Sequence, residues 1–242
     1  MSRHDRCPAL SGFRWLAHAS LGEAQSALAL DLGVCIDAAL ADRGRAVLAL
    51  AGGRTPLALY RALALQSRDW TRVHVVPTDE RWVGRGHPAR NEDELVAAFA
   101  AADGIRVHGL LGREAAPAPS AQTACEVLQE FEGPFDAVLL GMGQDAHTAS
   151  LFPHALGLDA AWRSDADAAC VVVPDPLPPE APFARISLSR PRLLQTCTLG
   201  LLISGAPKRA VFEDAVGQAA SRERPISAFL TGTPVCDVHW SP

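Results

Sequence analysis

The chain has 242 residues, 48% of them hydrophobic and 20% charged, with a net charge of −5 and no cluster of lysines or arginines. That length supports a sizeable core and predicts one domain over residues 1–242. The charge argues against a nucleic-acid surface or an anionic membrane patch, so neither is expected as a partner. Six cysteines (Cys7, Cys35, Cys125, Cys170, Cys197, Cys236) lack C-x-x-C spacing. Together with a polar, charged Met1 to Pro8 and no apolar run of membrane-spanning length, they predict a cytoplasmic protein with reduced thiols.

In chain order, Phe13 to Ala19 reads as an edge strand. Glu23 to Asp42 has helical spacing of Ala27, Leu30, Val34 and Leu40, with Gly44 as its stop. Ala46 to Leu50 is a buried strand running into Gly52-Gly53-Arg54-Thr55-Pro56, where Thr55 and Pro56 suit the N-cap and first position of a helix. That helix carries Leu57, Tyr60, Leu63 and Ala64 on one side. Val73 to Val76 is a third strand, broken at Pro77 and followed by Asp79-Glu80-Arg81. Gly84 to Arg90 is a loop, Asn91 is expected to cap a helix from Glu92 to about Ala101, and Ile105 to Leu110 forms a short strand. A loop over Gly112 to Ser120 precedes a helix from Gln122 to Glu132.

Ala137 to Leu140 is a buried strand ending in Gly141-Met142-Gly143, with Asp145, His147 and Thr148 directly after. Beyond it, Ala169 to Val173 is strand-like, and the proline-rich Pro174 to Pro182 is an irregular connection. Arg185 to Ser189 alternates as a half-buried strand, and Arg185 would be a surface residue if that strand lies at an edge. The last long apolar run, Thr198 to Ser204, leads through Gly205 to a helix started by Pro207.

Buried strands alternating with helices predict a three-layer, Rossmann-like α/β domain with a mostly parallel sheet. Four of its strands end in Gly52 to Thr55, Asp79 to Arg81, Gly143 to Thr148 and Ser204 to Lys208. In a parallel sheet those ends share one edge, where ligands bind. The glycine turn before Pro56 suits an anion at a helix N-terminus or is merely a tight turn. Arg81 suits a phosphate or carboxylate. Lys208 and Arg185 are either exposed surface residues or anion holders. His147 is either a helix N-terminal residue or a general base oriented by Asp145, with Thr148 able to contribute a hydroxyl.

Gly141-Met142-Gly143-Gln144-Asp145-Ala146 also fits the dinucleotide pattern G-x-G-x-x-G/A. Against it, Asp145 would repel a pyrophosphate, Pro153 leaves room for only a short helix, and no acidic residue ends a following strand at the usual distance. The histidines lack metal-ligand spacing, so no metal and no cofactor are expected. Serine-hydrolase and nucleotide-triphosphatase motifs are missing.

The run Gly141 to Pro153 resembles the signature of the 6-phosphogluconolactonase family, G-x-G-x-D-G-H-T-A-S-L-F-P. Gly52 to Pro56 with Tyr60, Asp79 to Arg81 with Asn91, and Arg185 with Gly205 to Lys208 resemble further blocks of that family, in the same order. The resemblance spans nearly the whole chain. It implies the fold shared with glucosamine-6-phosphate deaminases, ribose-5-phosphate isomerases and CoA transferases. The deaminases' Asp-Gly-His continues towards Asn-Glu-Pro, whereas here Thr148 to Pro153 follows. This chain departs from the pattern at Ala146 (family glycine), Ala51 and Arg90 (usual serines) and Gly84 (usual proline).

The resemblance implies hydrolysis of 6-phospho-D-glucono-1,5-lactone to 6-phosphogluconate in the pentose phosphate pathway, by a monomer or weak homo-oligomer without cofactor. His147 would activate water, Asp145 would orient His147 or bind a hydroxyl, and Arg81 would anchor the phosphate or the oxyanion. Gly52, Gly53, Arg54, Thr55, Arg185 and Lys208 would hold the phosphate, and Asp79 and Asn91 the hydroxyls or the loop. A glucosamine-6-phosphate deaminase or another sugar-phosphate isomerase, and a non-catalytic sugar-phosphate sensor, are the alternatives.

Overall fold

Seven strands form one sheet in a computed structural model that describes residues 12–112, 116–179, 181–216 and 219–242. They are β1 (Phe13–Ala17), β2 (Ala46–Leu50), β3 (Val73–Pro77), β5 (Arg106–Val107), β6 (Ala137–Leu140), β9 (Leu199–Ser204) and β10 (Cys236–Ser241). Their spatial order is β1-β10-β9-β6-β2-β3-β5, and every neighbouring pair is parallel. A second, antiparallel sheet has the order β4 (Asp79–Arg81), β8 (Arg185–Leu188), β7 (Ala169–Val172).

Strand period divides the core into two layers. Ala46, Leu48 and Leu50 of β2, with Ala137 and Leu139 of β6, face one cluster. It is covered by α1 (Leu21–Arg43), α2 (Leu57–Ala64) and α3 (Asn91–Ala98). Val47 and Ala49, with Val138 and Leu140, face the other. There α4 (Pro117–Gln129), α5 (Leu158–Trp162), α6 (Arg190–Leu194), α7 (Ala206–Val216) and the small sheet pack. The strands are hydrophobic on both faces because both faces are covered.

Several sequence expectations change. Strand β10 is absent from the sequence reading, yet it lies between β1 and β9. Its polar residues, Asp237, His239 and Ser241, hide a strand whose position is set by its neighbours; His239 and Ser241 are buried. The expected strand Ile105 to Leu110 shrinks to Arg106–Val107, and α4 starts earlier, with Pro117 in its first turn. Thr55 does not cap α2, whose first residue is Leu57, preceded by Pro56 without a side-chain cap. Arg185 to Leu188 is wholly buried, because β8 is the centre of the small sheet and not an edge.

Helix α1 corrects the expectation that no segment reaches membrane-spanning length. Its 23 residues are long and apolar enough by length and composition. In the fold it is a core helix, with Ala24, Leu28, Leu32 and Ile36 buried and Asp31, Asp37 and Asp42 turned outward. Cys7, Met1 to Pro8 and parts of the loops expected at Gly112 to Ser120 and Pro174 to Pro182 lie outside the described residues.

Candidate active site

The carboxyl ends of β2, β3, β6 and β9 meet at one cleft of about 270 Å³. Its walls include Gly52, Gly53, Arg54, Thr55, Asp79, Arg81, Asn91, His147, Arg185 and Lys208. Ten of the eleven residues to which the resemblance gives a catalytic or substrate-binding role therefore line a single space. The eleventh, Asp145, reaches it through His147.

The histidine sits on a tight turn after β6, not on the short helix expected there. Gly143 donates its amide to the His147 carbonyl at 2.9 Å, and Ala146 donates to the Gly143 carbonyl at 3.3 Å. Asp145 Oδ1 lies 2.5 Å from His147 Nδ1 and also accepts the His147 amide at 3.2 Å. A Cβ on Gly143 would lie 2.1 Å from His147 Nδ1 and 2.5 Å from Asp145 Oδ1, so this pair closes only over a glycine. Phe152 stacks on the imidazole, with ring centroids 4.0 Å apart. Burial alone would raise the Asp145 carboxyl, but the hydrogen bond and charge of His147 hold it below its usual value. With Nδ1 turned to a carboxylate, Nε2 is the ring's remaining proton acceptor. Thr148 donates its hydroxyl to the Gly141 carbonyl at 2.8 Å and is fully buried, so it braces the turn and does not reach into the cleft. No helix starts at the glycine turn, the next being α5 at Leu158, which removes the dinucleotide reading.

Ala146 has φ 63°, the left-handed conformation that the family's glycine would adopt freely. For alanine this costs on the order of 1–2 kcal/mol. Its methyl is buried in the core, which returns about 0.8 kcal/mol. The two effects nearly cancel. Ala146→Gly is therefore expected to shift the unfolding free energy by no more than about 1 kcal/mol in urea titrations. Turnover should stay within roughly fivefold of wild type, the rate equivalent of about 1 kcal/mol. A larger loss of activity would show that the methyl itself shapes the turn.

Asp79 is buried at the cleft floor and accepts from the Ser150 hydroxyl. Asn91 donates from Nδ2 to the Asp79 carbonyl at 2.8 Å and accepts Arg81 Nη1 on Oδ1 at 2.6 Å. Arg81 Nη1 also donates to the Ala89 carbonyl at 3.0 Å. Asn91 is thus not the cap of α3: it is the helix's first residue, and its side chain joins Asp79 to Arg81. The cap comes from another element. Fully buried Glu80 accepts the amides of Asn91 and Glu92, each at 2.8 Å, and that of Arg81 at 2.8 Å. A carboxylate at a helix N-terminus satisfies its orphan donors.

Burial pushes Glu80 up to about 7, with Asp79 adding repulsion against the pull of the three amides. The unfolded glutamate titrates near 4.5, so the folded state holds the proton more tightly. The stability this supplies is present below pH 4.5 and is lost as pH rises through 7. Comparing wild type with Glu80→Gln in urea unfolding, the wild type's relative stability should fall over that interval. A difference that is flat or grows with pH would contradict the assignment.

Four cations line the cleft, Arg54, Arg81, Arg185 and Lys208, against one carboxylate, Asp79. Arg185 is 3% exposed and donates Nη2 to the Ala181 carbonyl at 2.9 Å, while its buried Nη1 has no hydrogen-bond partner among the described residues. Burial lowers the pKa of Arg185, with Asp79 opposing the shift. Burial likewise lowers that of Lys208, which makes no ion pair among the described residues. An unsatisfied buried donor such as Arg185 Nη1 calls for an anion. The sequence pattern assigns no separate role to Ser150, Phe152 or Glu80. The first two stand in the signature run, and Glu80 sits between two residues already singled out.

Residues 20–240 match the family model described as glucosamine-6-phosphate isomerases/6-phosphogluconolactonase. The chain is 34% identical over 235 residues to a 6-phosphogluconolactonase of Pseudomonas aeruginosa, covering 92% of each chain. It is also 34% identical to one of Neisseria meningitidis serogroup A, covering 95% of this chain and 99% of the relative. In three dimensions it superposes on the crystal structure of a 6-phosphogluconolactonase from Shewanella baltica with a TM-score of 0.89 and 30% identity, over 97% of this chain and 100% of that one. By sequence and by its three-layer α/β fold, the chain belongs to the glucosamine-6-phosphate isomerase/6-phosphogluconolactonase family, on the lactonase side.

Proposed function

We propose that the protein hydrolyses 6-phospho-D-glucono-1,5-lactone to 6-phosphogluconate, as a cytoplasmic step of the oxidative pentose phosphate pathway, with His147 as general base. One juxtaposition carries the reading: an imidazole with Nδ1 held by Asp145 shares a cleft with Lys208 and with Arg185, whose Nη1 has no partner among the described residues. A lactone is an activated ester, so a base and donors for the developing oxyanion suffice.

His147 Nε2 takes a proton from water as the water oxygen bonds to C1 of the lactone. The carbonyl π-electrons move onto oxygen, giving a tetrahedral oxyanion. As this collapses, the bond from C1 to the ring oxygen breaks, and the imidazolium returns its proton to that oxygen. Asp145 stabilises the imidazolium at Nδ1 throughout. Arg185, Lys208 and the turn Gly52 to Thr55, including Arg54, hold the phosphate. Asp79 and Asn91 accept and donate to ring hydroxyls. Arg81, fixed by Asn91 and Ala89, faces the oxyanion side. Holding both ends of the substrate sets the carbonyl beside the base.

The test is hydrolysis of freshly made lactone, with the spontaneous rate subtracted. A rate equal to the blank, or ammonia release from glucosamine 6-phosphate in its place, would overturn the reading.

A further inference from the structure

Helix α3 presents two residues at i, i+3 spacing, Asn91 and Glu94, to the glycine turn after β2. Asn91 packs so closely that a Cβ on Gly52 would lie 2.1 Å from its Oδ1. Glu94 Oε2 accepts the Gly53 amide at 3.0 Å. The amides of Gly52, Arg54 and Thr55 have no hydrogen-bond partner among the described residues. Glu94 does not line the cleft that the turn lines, so it grips the turn from the α3 side.

We propose that Glu94 is a positioning residue for the substrate's phosphate, holding the turn by the Gly53 amide so that the free amides of Arg54 and Thr55 are set for the anion. The inference rests on the reading above that this turn binds the phosphate. A loop already ordered before binding loses less conformational freedom when the ligand arrives. The negative charge by itself would act the other way, repelling the phosphate. The two roles therefore predict opposite signs on removal of the side chain.

The experiment compares Glu94→Ala and Glu94→Gln with wild type. It measures kcat and KM for the lactone, the Kd of 6-phosphogluconate by calorimetry, and hydrolysis of the unphosphorylated gluconolactone. Loss of one backbone hydrogen bond should raise KM and Kd about 3- to 10-fold in Glu94→Ala, with kcat within twofold. Glu94→Gln, whose amide oxygen still accepts, should return both close to wild type. The unphosphorylated lactone should be hydrolysed alike by all three. An unchanged or lower KM and Kd in Glu94→Ala would overturn the proposal, as would an equal loss on both lactones. If wild type itself does not exceed the spontaneous rate, the lactonase reading fails; the Kd values still decide the role of Glu94.

Discussion

Replacing His147 by Gln should lower kcat for the lactone about 10²- to 10⁴-fold, the usual contribution of a positioned general base. Glutamine keeps a polar group of similar reach beside Asp145 but cannot accept a proton at neutral pH. Binding should survive, because the proposed phosphate holders lie on the turn after β2, on β8 and on α7, and the histidine on the turn after β6. The Kd of 6-phosphogluconate is expected within about threefold of wild type, a shift well under that of losing a charged hydrogen bond. Stopped-flow proton release with the blank subtracted gives the first quantity and calorimetry the second. A kcat near wild type would remove His147 from the chemistry. Equal loss of binding and turnover would assign it to substrate contact instead.

Arg185→Met should separate affinity from stability in opposite directions. Charge-assisted hydrogen bonds are worth about 1.5–3 kcal/mol, so KM and the Kd of 6-phosphogluconate should rise roughly 10- to 100-fold. The unliganded fold has little to lose. Among the described residues Arg185 makes one hydrogen bond, to the Ala181 carbonyl, worth about 1 kcal/mol net. Its orphaned Nη1 costs about 1–3 kcal/mol of desolvation that methionine avoids. Thermal unfolding without ligand is therefore expected no lower than in wild type, while the stabilisation produced by added 6-phosphogluconate should shrink. A lower Tm together with undiminished affinity would show that Arg185 serves the small sheet and not the ligand.

Much of the architecture is legible in local pattern. The apolar runs Ala46 to Leu50, Val73 to Val76, Ala137 to Leu140 and Leu199 to Ser204 are the four strands that carry the cleft, and glycine or a charged residue follows each: Gly52, Asp79, Gly141 and Gly205. Strand β10 was not legible, because a strand held between two others tolerates His239 and Ser241 wherever partners are at hand. Nor were the caps. Asn91 is a good capping residue by type, but a carboxylate from β4 accepts the first amides of the helix, those of Asn91 and Glu92, and the Asn91 side chain instead joins Asp79 to Arg81. The spacing after Gly143 suggested a short helix, but the left-handed Ala146 and Ala149 interrupt it and turn His147 into the cleft.

Composition and strand period were enough for the parallel α/β class and for one shared sheet edge; the family entered through the resemblance of Gly141 to Pro153 to a known signature. These depend on short-range rules: side-chain alternation, glycine's freedom and the proximity of Asp145 to His147 in the chain. Only the folded chain decided which residues stand behind them. Glu80, Glu94, Ser150 and Arg185 take their places from pairings across β4, α3 and β8, distant in sequence. Burial then makes Arg185 an unsatisfied donor and not a surface charge. No local pattern carries that distinction, because desolvation belongs to the packed structure and not to the residue.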